Sequence, residues 1–96
     1  MDLQEKYLKK IGFYYDEAGR LTQYPTKRPL RDIVLSQIAE QFDPGADYTE
    51  KQVNAIIASQ IAFSDIELIR RELYDGGYVD RLRDGTKYWK REKPAT

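Results

Sequence analysis

The chain has 96 residues, 41% of them hydrophobic and 33% charged, with 16 basic side chains balancing 16 acidic ones. That length suits one domain with a single modest core, and the apolar share is too high for a disordered chain. Zero net charge excludes a global field that would pull the chain onto nucleic acid or membrane, and the lack of cysteine and histidine removes disulfides, thiolates, the usual zinc ligands and the usual general base.

Leu3, Tyr7, Leu8 and Ile11 recur at helical spacing, so an amphipathic helix is expected over 2–11, ended by Gly12. Phe13-Tyr14-Tyr15 and Leu21 to Tyr24 flank Asp16-Glu17-Ala18-Gly19, which predicts a first hairpin over 13–24. Thr26 is the expected cap of the next helix, with Pro29 tolerated in its first turn. Leu30, Ile33, Val34, Ile38 and Phe42 form its apolar stripe, and Asp43-Pro44-Gly45 ends it. Ala46-Asp47-Tyr48 reads as a short extended connector. Thr49 to Gln52 has the spacing of a capping box, opening a helix that buries Val53, Ile56, Ile57 and Ile61.

Ser64-Asp65-Ile66-Glu67 repeats that spacing and opens a fourth helix, in which Ala62, Ile66, Ile69 and Leu73 share the core face. Gly76-Gly77 can stop it in the left-handed conformation. Asp84-Gly85 then predicts a primed two-residue turn, pairing Arg83 with Thr86, Arg81 with Tyr88 and Asp80 with Trp89. Residues 93–96 form a polar tail expected to fray. Helix, short strand, two helices and a hairpin are the order of a winged helix-turn-helix domain. The expected fold is therefore α+β: one domain over 1–96, a winged-helix core at 26–91, and an extra N-terminal helix and β-hairpin.

On the expected recognition helix, Ser64, Glu67, Leu68, Arg71 and Asp75 lie opposite the core. Arg71 is the one good phosphate or guanine ligand there, yet Glu67 stands four residues before it, placed to pair with it. Arg70 flanks the core face and either carries its guanidinium to a phosphate or pairs with an acidic neighbour. From Gly77 to Lys93 six basic residues face three acidic ones, so the wing is basic. Arg81 and Arg83 are expected on one face with Tyr88; Leu82, Lys87, Trp89 and Arg91 fall on the other. Such a wing suits backbone contacts, or its charges only blunt an edge strand. Lys27, Arg28 and Arg31 crowd a helix N-terminus, against the dipole, which suits an anionic partner or simply solvent. The eight tyrosines fill core edges or form a protein-binding patch. Carboxylate pairs fall in turns, and no phosphate loop or dinucleotide fingerprint is present, so no catalytic residue, cofactor or metal is expected.

Asp16 with Gly19-Arg20-Leu21, Pro25-Thr26-Lys27-Arg28, Tyr48-Thr49-Glu50-Lys51 with Val53-Asn54, Asp65, Arg70-Arg71-Glu72-Leu73, Asp75 and the closing Gly85 with Tyr88-Trp89 form a recognisable set. Together they resemble the bacterial domain-of-unknown-function family 2087, over about Phe13 to Arg91. The resemblance implies a role in regulation, since members stand alone or follow a helix-turn-helix segment in proteins named as transcriptional regulators. It implies no ligand and no catalytic residue. One departure is visible: the family often has histidine immediately before the aspartate that is Asp65 here, and this chain has Ser64.

The functional expectation is a non-catalytic transcriptional regulator or accessory domain binding duplex DNA. Arg71 would enter the groove, Arg81, Arg83 and Lys87 would lie on the wing, and Lys27, Arg28 and Arg70 would meet phosphate. The alternative is a protein-interaction or sensor module on the same scaffold, meeting a protein partner or a second copy through tyrosines and Trp89. No apolar run approaches the roughly 20 residues of a membrane helix, and Met1 to Glu5 lacks a signal peptide's basic and apolar regions. The expected compartment is the cytoplasm.

Overall fold

The computed structural model describes residues 9–91. Of the expected N-terminal helix, residues 9–11 fall within that range and are helical; the rest of it, and the tail at 93–96, lie outside the described residues. The α-helix ends at Ile11, and Gly12 is the first residue past it. It keeps a negative φ, and the chain tightens into a 3₁₀ turn at Gly12–Tyr14.

The expected hairpin over 13–24 is reduced to a single antiparallel bridge between Tyr15 and Leu21. Its turn does form: the Asp16 carboxylate accepts from the Arg20 amide at 2.8 Å, and Gly19 takes a φ of 81°. The strands are short because Gly12–Tyr14 is spent on the 3₁₀ turn and Leu21 has a second partner. Its N–H donates to the Gln60 carbonyl at 2.9 Å, and its carbonyl accepts from Ala62 at 2.7 Å. Leu21 thus stitches the N-terminal extension to the rest of the core and is almost fully buried.

Helix α1 spans Arg28–Ala39. Lys27, not Thr26, is its N-cap: Lys27 is extended, its carbonyl closes the first turn with the Arg31 amide at 3.0 Å, and no side chain caps the helix. Pro29 sits in the first turn, where its missing N–H costs nothing. Leu30, Val34, Leu35, Ile38 and Ala39 are buried, while Ile33 only leans on the core. Phe42, beyond the helix, is buried edge-on against the Tyr48 ring, with centroids 5.1 Å apart.

Strand β1 is Asp47–Tyr48, and helix α2 spans Glu50–Gln60. Its capping box is complete: the Gln52 amide donates to the Thr49 hydroxyl at 3.1 Å, and the Gln52 side chain accepts from the Thr49 amide at 2.9 Å. Helix α3 spans Ile66–Asp75. Here the cap is Asp65 rather than Ser64, accepting from the Leu68 amide at 3.2 Å. A carboxylate also carries the charge that the positive helix start favours. The start moves one residue, and Ala62, expected on the core face, is left exposed in the connection.

The end of α3 is the sharpest feature of the fold. The Tyr78 amide donates to the Leu73 carbonyl at 2.9 Å and the Gly77 amide to the Tyr74 carbonyl at 3.1 Å, the paired bonds of a Schellman stop. Gly77 has a φ of 80°, and a Cβ on Gly76 would lie 2.9 Å from the Tyr78 ring. The chain reverses there into β2, Val79–Arg81, and returns as β3, Tyr88–Lys90. The sheet is antiparallel with order β1-β3-β2, and the register is the expected one, Arg81 opposite Tyr88 and Asp80 opposite Trp89. The turn differs. Both primed forms need a positive φ at Asp84, and only Gly85 has one, at 76°. The Gly85 amide instead donates to the Leu82 carbonyl at 2.9 Å, while Asp84 accepts from the Thr86 hydroxyl at 2.7 Å and amide at 3.0 Å.

The core is one cluster in which Val53, Ile57, Ile69 and Leu73 meet Leu21, Leu30, Val34 and Val79. Ile57, Ile69 and Leu73 are fully buried, whereas Ile56 and Ile66 pack against the cluster's rim. Ile69→Ala is expected to cost about 2 to 4 kcal/mol by chemical denaturation, since the cavity would sit between two helices that cannot both collapse into it. A loss below about 1 kcal/mol would place the centre of the core elsewhere.

Candidate functional site

The face built by α3 and the β2–β3 hairpin holds most of the cations expected to meet DNA. Arg70 sits in the middle of α3 with its side chain only 19% exposed. Its guanidinium donates to the Asn54 side-chain oxygen at 2.6 Å and lies 3.5 Å from the Glu50 carboxylate, so it ties α3 to the start of α2. Arg71, one residue on, points to solvent and pairs with Glu67 at 3.4 Å. An exposed pair of this kind contributes about 0 to 1 kcal/mol.

Arg81 does not stand on the solvent face. Tyr88 opposite it is buried, so Arg81 starts from the core side of the sheet and emerges over the Tyr74 ring, its guanidinium carbon 4.8 Å from the centroid. One of its nitrogens lies 3.2 Å from where a Cβ on Gly85 would stand, so the glycine leaves room for it. Lys87 pairs with Asp47 of β1 at 3.7 Å and lies 5.6 Å from the Trp89 ring. Arg83 is exposed in the hairpin loop, and Lys27 and Arg28 are exposed at the start of α1; among the described residues none of the three has an ion pair.

Between α3, the start of α2 and the hairpin lies a shallow cleft of about 250 Å³. Arg70, Arg71 and Arg81 line it with Glu50, Glu67 and Asp75, so its formal charges cancel. Tyr74, in its wall, is 40% exposed, and Leu82, in the hairpin loop, is 42% exposed.

Arg31, grouped in sequence with Lys27 and Arg28, is not a free cation. Its Nε donates to the Pro25 carbonyl at 2.7 Å, it lies over the Tyr24 ring at 5.0 Å, and it approaches Glu72 of α3 at 4.0 Å. Tyr24 donates to the same carboxylate at 3.1 Å. Burial, and then the Glu72 carboxylate beside it, push the Tyr24 hydroxyl well above the usual phenol range, so it stays a donor at neutral pH.

The partners of Arg70, Arg81 and Lys87 were not visible in sequence because they lie on other elements, and only the pairing of Arg71 with Glu67 was signalled by spacing. The tyrosine hydroxyls had no local signal either. Tyr15 donates to Gln37, Tyr78 to the Asp32 carbonyl at 3.2 Å, and Tyr48 accepts from the Asp43 amide at 2.7 Å. They join separate parts of the fold more than they form a patch. Among the described residues no group of acidic side chains is placed to hold a metal ion, and no helix is long and apolar enough to cross a membrane.

A small α+β domain with three helices packed around a three-stranded antiparallel sheet, extended by an N-terminal turn, is the class these features define. A family model matches residues 20–90, and the chain belongs to that family, described as an uncharacterized protein conserved in bacteria (DUF2087). No curated protein and no solved structure matches the chain.

Two outcomes are expected from this geometry. Arg70→Ala removes the part-buried partner of Asn54 and uncovers apolar surface beneath its stem, and should cost about 1 to 2 kcal/mol. Arg71→Ala should stay within about 0.5 kcal/mol of the parent, and the reverse ranking in urea denaturation would contradict these roles. The hydroxyl and then the amide of Thr86 hold the Asp84 carboxyl below the usual carboxylate range. Its folded-state pKa is depressed, so its contribution to stability is present above the unfolded value and is lost as pH falls through the folded one. An NMR titration of Thr86→Val should show Asp84 moving back toward the ordinary value.

Proposed function

We propose that the chain is a non-catalytic regulatory domain of winged-helix type that works through a protein partner, not by reading duplex DNA. The winged-helix reading is supported by the chain order α1, β1, α2, α3, β2, β3 and by the placement of β3 between β1 and β2. A regulatory role is supported by the resemblance to a family whose members accompany helix-turn-helix segments. The non-catalytic reading rests on the side-chain inventory. The chain has no histidine or cysteine, and the carboxylates of the α3 face sit among arginines.

One observation carries the choice of partner. Of the seven cations expected to meet DNA, Arg70, Arg71 and Lys87 already face carboxylates of this chain and Arg81 lies on Tyr74. Phosphate contact requires cations free to displace counterions, and a face whose charges are internally cancelled gains little from a polyanion. Exposed Tyr74 in the wall of a neutral cleft suits a protein surface better, as an aromatic anchor within a polar rim.

A second reading keeps DNA as the partner, because Lys27, Arg28 and Arg83 are exposed without ion pairs among the described residues. Three phosphate contacts would give a log–log salt slope of about −2.7. The test is a titration of the 96-residue chain with mixed-sequence duplex DNA at low and physiological salt. The protein-partner reading expects no binding at about 100 μM in low salt, where non-specific DNA binders give a clear signal. Binding with that slope, lost on changing Lys27, Arg28 and Arg83 to alanine, would overturn it in favour of DNA.

A further inference from the structure

A second cavity among the described residues has no part in the face described above. It measures about 530 Å³, within the range of small-molecule sites, and lies where the end of α1, the loop after it and the root of the hairpin meet. Ala39 and Pro44 wall one side and Tyr78 the other. The Tyr78 ring is held in place, packed under Gly76 while its hydroxyl donates to the Asp32 carbonyl. Lys90 and Arg91, the last residue of β3 and the one after it, supply two cations, against one carboxylate from Glu40.

Neither Lys90 nor Arg91 has an ion pair among the described residues, in contrast to the engaged cations of the α3 face. Arg91 is also positioned by the fold. Its amide donates to the Tyr78 carbonyl at 3.1 Å, and its guanidinium lies 3.3 Å from where a Cβ on Gly77 would stand. The glycine that the helix stop requires therefore leaves room for a guanidinium in the lining of the cavity. Apolar walls with an excess of positive charge at one rim match a molecule with an apolar body and a single anionic end. A planar carboxylate suits the guanidinium fork.

We propose that this cavity binds a small apolar carboxylate, its chain or ring against Ala39, Pro44 and Tyr78 and its carboxylate on Lys90 and Arg91. The site touches the roots of both hairpin strands, at Gly77-Tyr78 and at Lys90-Arg91, so an occupant would brace the hairpin against α1. The inference is independent of whether the α3 face meets protein or DNA.

The test is a ¹H–¹⁵N NMR titration of the full chain with octanoate, using octanol as the neutral control of equal length and inorganic phosphate as a bare anion. Octanoate is expected to shift the amides of Gly77, Tyr78 and Arg91 saturably, with octanol weaker and phosphate without effect on the apolar wall. Lys90→Ala with Arg91→Ala should weaken octanoate by about tenfold, the worth of one charge-assisted hydrogen bond. Ser36→Trp, an exposed position on the rim, should block it while leaving the rest of the spectrum unchanged. No saturable shift below the concentration at which octanoate forms micelles would overturn the site. Equal binding of octanol and octanoate, or an unchanged affinity in the double variant, would overturn the assignment of the carboxylate to Lys90 and Arg91.

Discussion

Everything downstream of α3 hangs on two adjacent glycines that are not interchangeable. Gly76 keeps an ordinary helical φ and is small because the Tyr78 ring and the Glu72 carbonyl leave no space for a methyl group. Gly77 is the left-handed residue, where an L side chain costs roughly 1 to 2 kcal/mol. Together they turn the chain within two residues, so that Val79 enters the core directly after the stop. That phase then decides the hairpin. Because side chains alternate along a strand, burying Val79 places Arg81 on the same side and Tyr88 opposite it. A slip of one residue would expose Val79 and Tyr88 and turn Asp80 and Trp89 inward.

The same phase explains why a hairpin rich in arginine and lysine does not present a basic surface. Arg81 begins on the apolar side and reaches the surface by lying along Tyr74; Lys87 folds back toward β1 and Asp47. On α3, Arg70 is largely buried and cannot leave without taking the hydrogen bond from Asn54. These contacts are individually small, yet each removes a cation from the set available to a phosphate. The neutral balance of the whole chain is therefore reproduced on the one face where a DNA-binding domain would break it.

Beside the Tyr15–Gln37 hydrogen bond, two joints of different character hold the N-terminal extension to the core. Leu21 contributes an apolar side chain and two backbone hydrogen bonds to the exit of α2. Tyr24, together with Arg31 of α1, forms a partly buried polar cluster centred on Glu72 of α3. The first fixes depth and the second fixes direction, which makes a hairpin ladder unnecessary.

Local chemistry was legible wherever cause and effect lie within a few residues. The α2 capping box, the glycine stop, the apolar stripes, the pairing of Arg71 with Glu67 and the hairpin register all follow from short-range geometry that the order of residues by itself determines. Errors at this level were small and had local competitors: Asp65 outbid Ser64 as a cap because it carries charge, and an Asp84–Thr86 hydrogen bond replaced a primed turn. What only the tertiary structure decided is which charges remain available. Arg70 meets Glu50 across two helices, Lys87 meets Asp47 across the sheet, and Arg81 meets Tyr74 across the hairpin root. Nothing in the spacing of those pairs announces them. Coulomb attraction and aromatic contact act through space, so they depend on the packed positions of elements that the sequence separates.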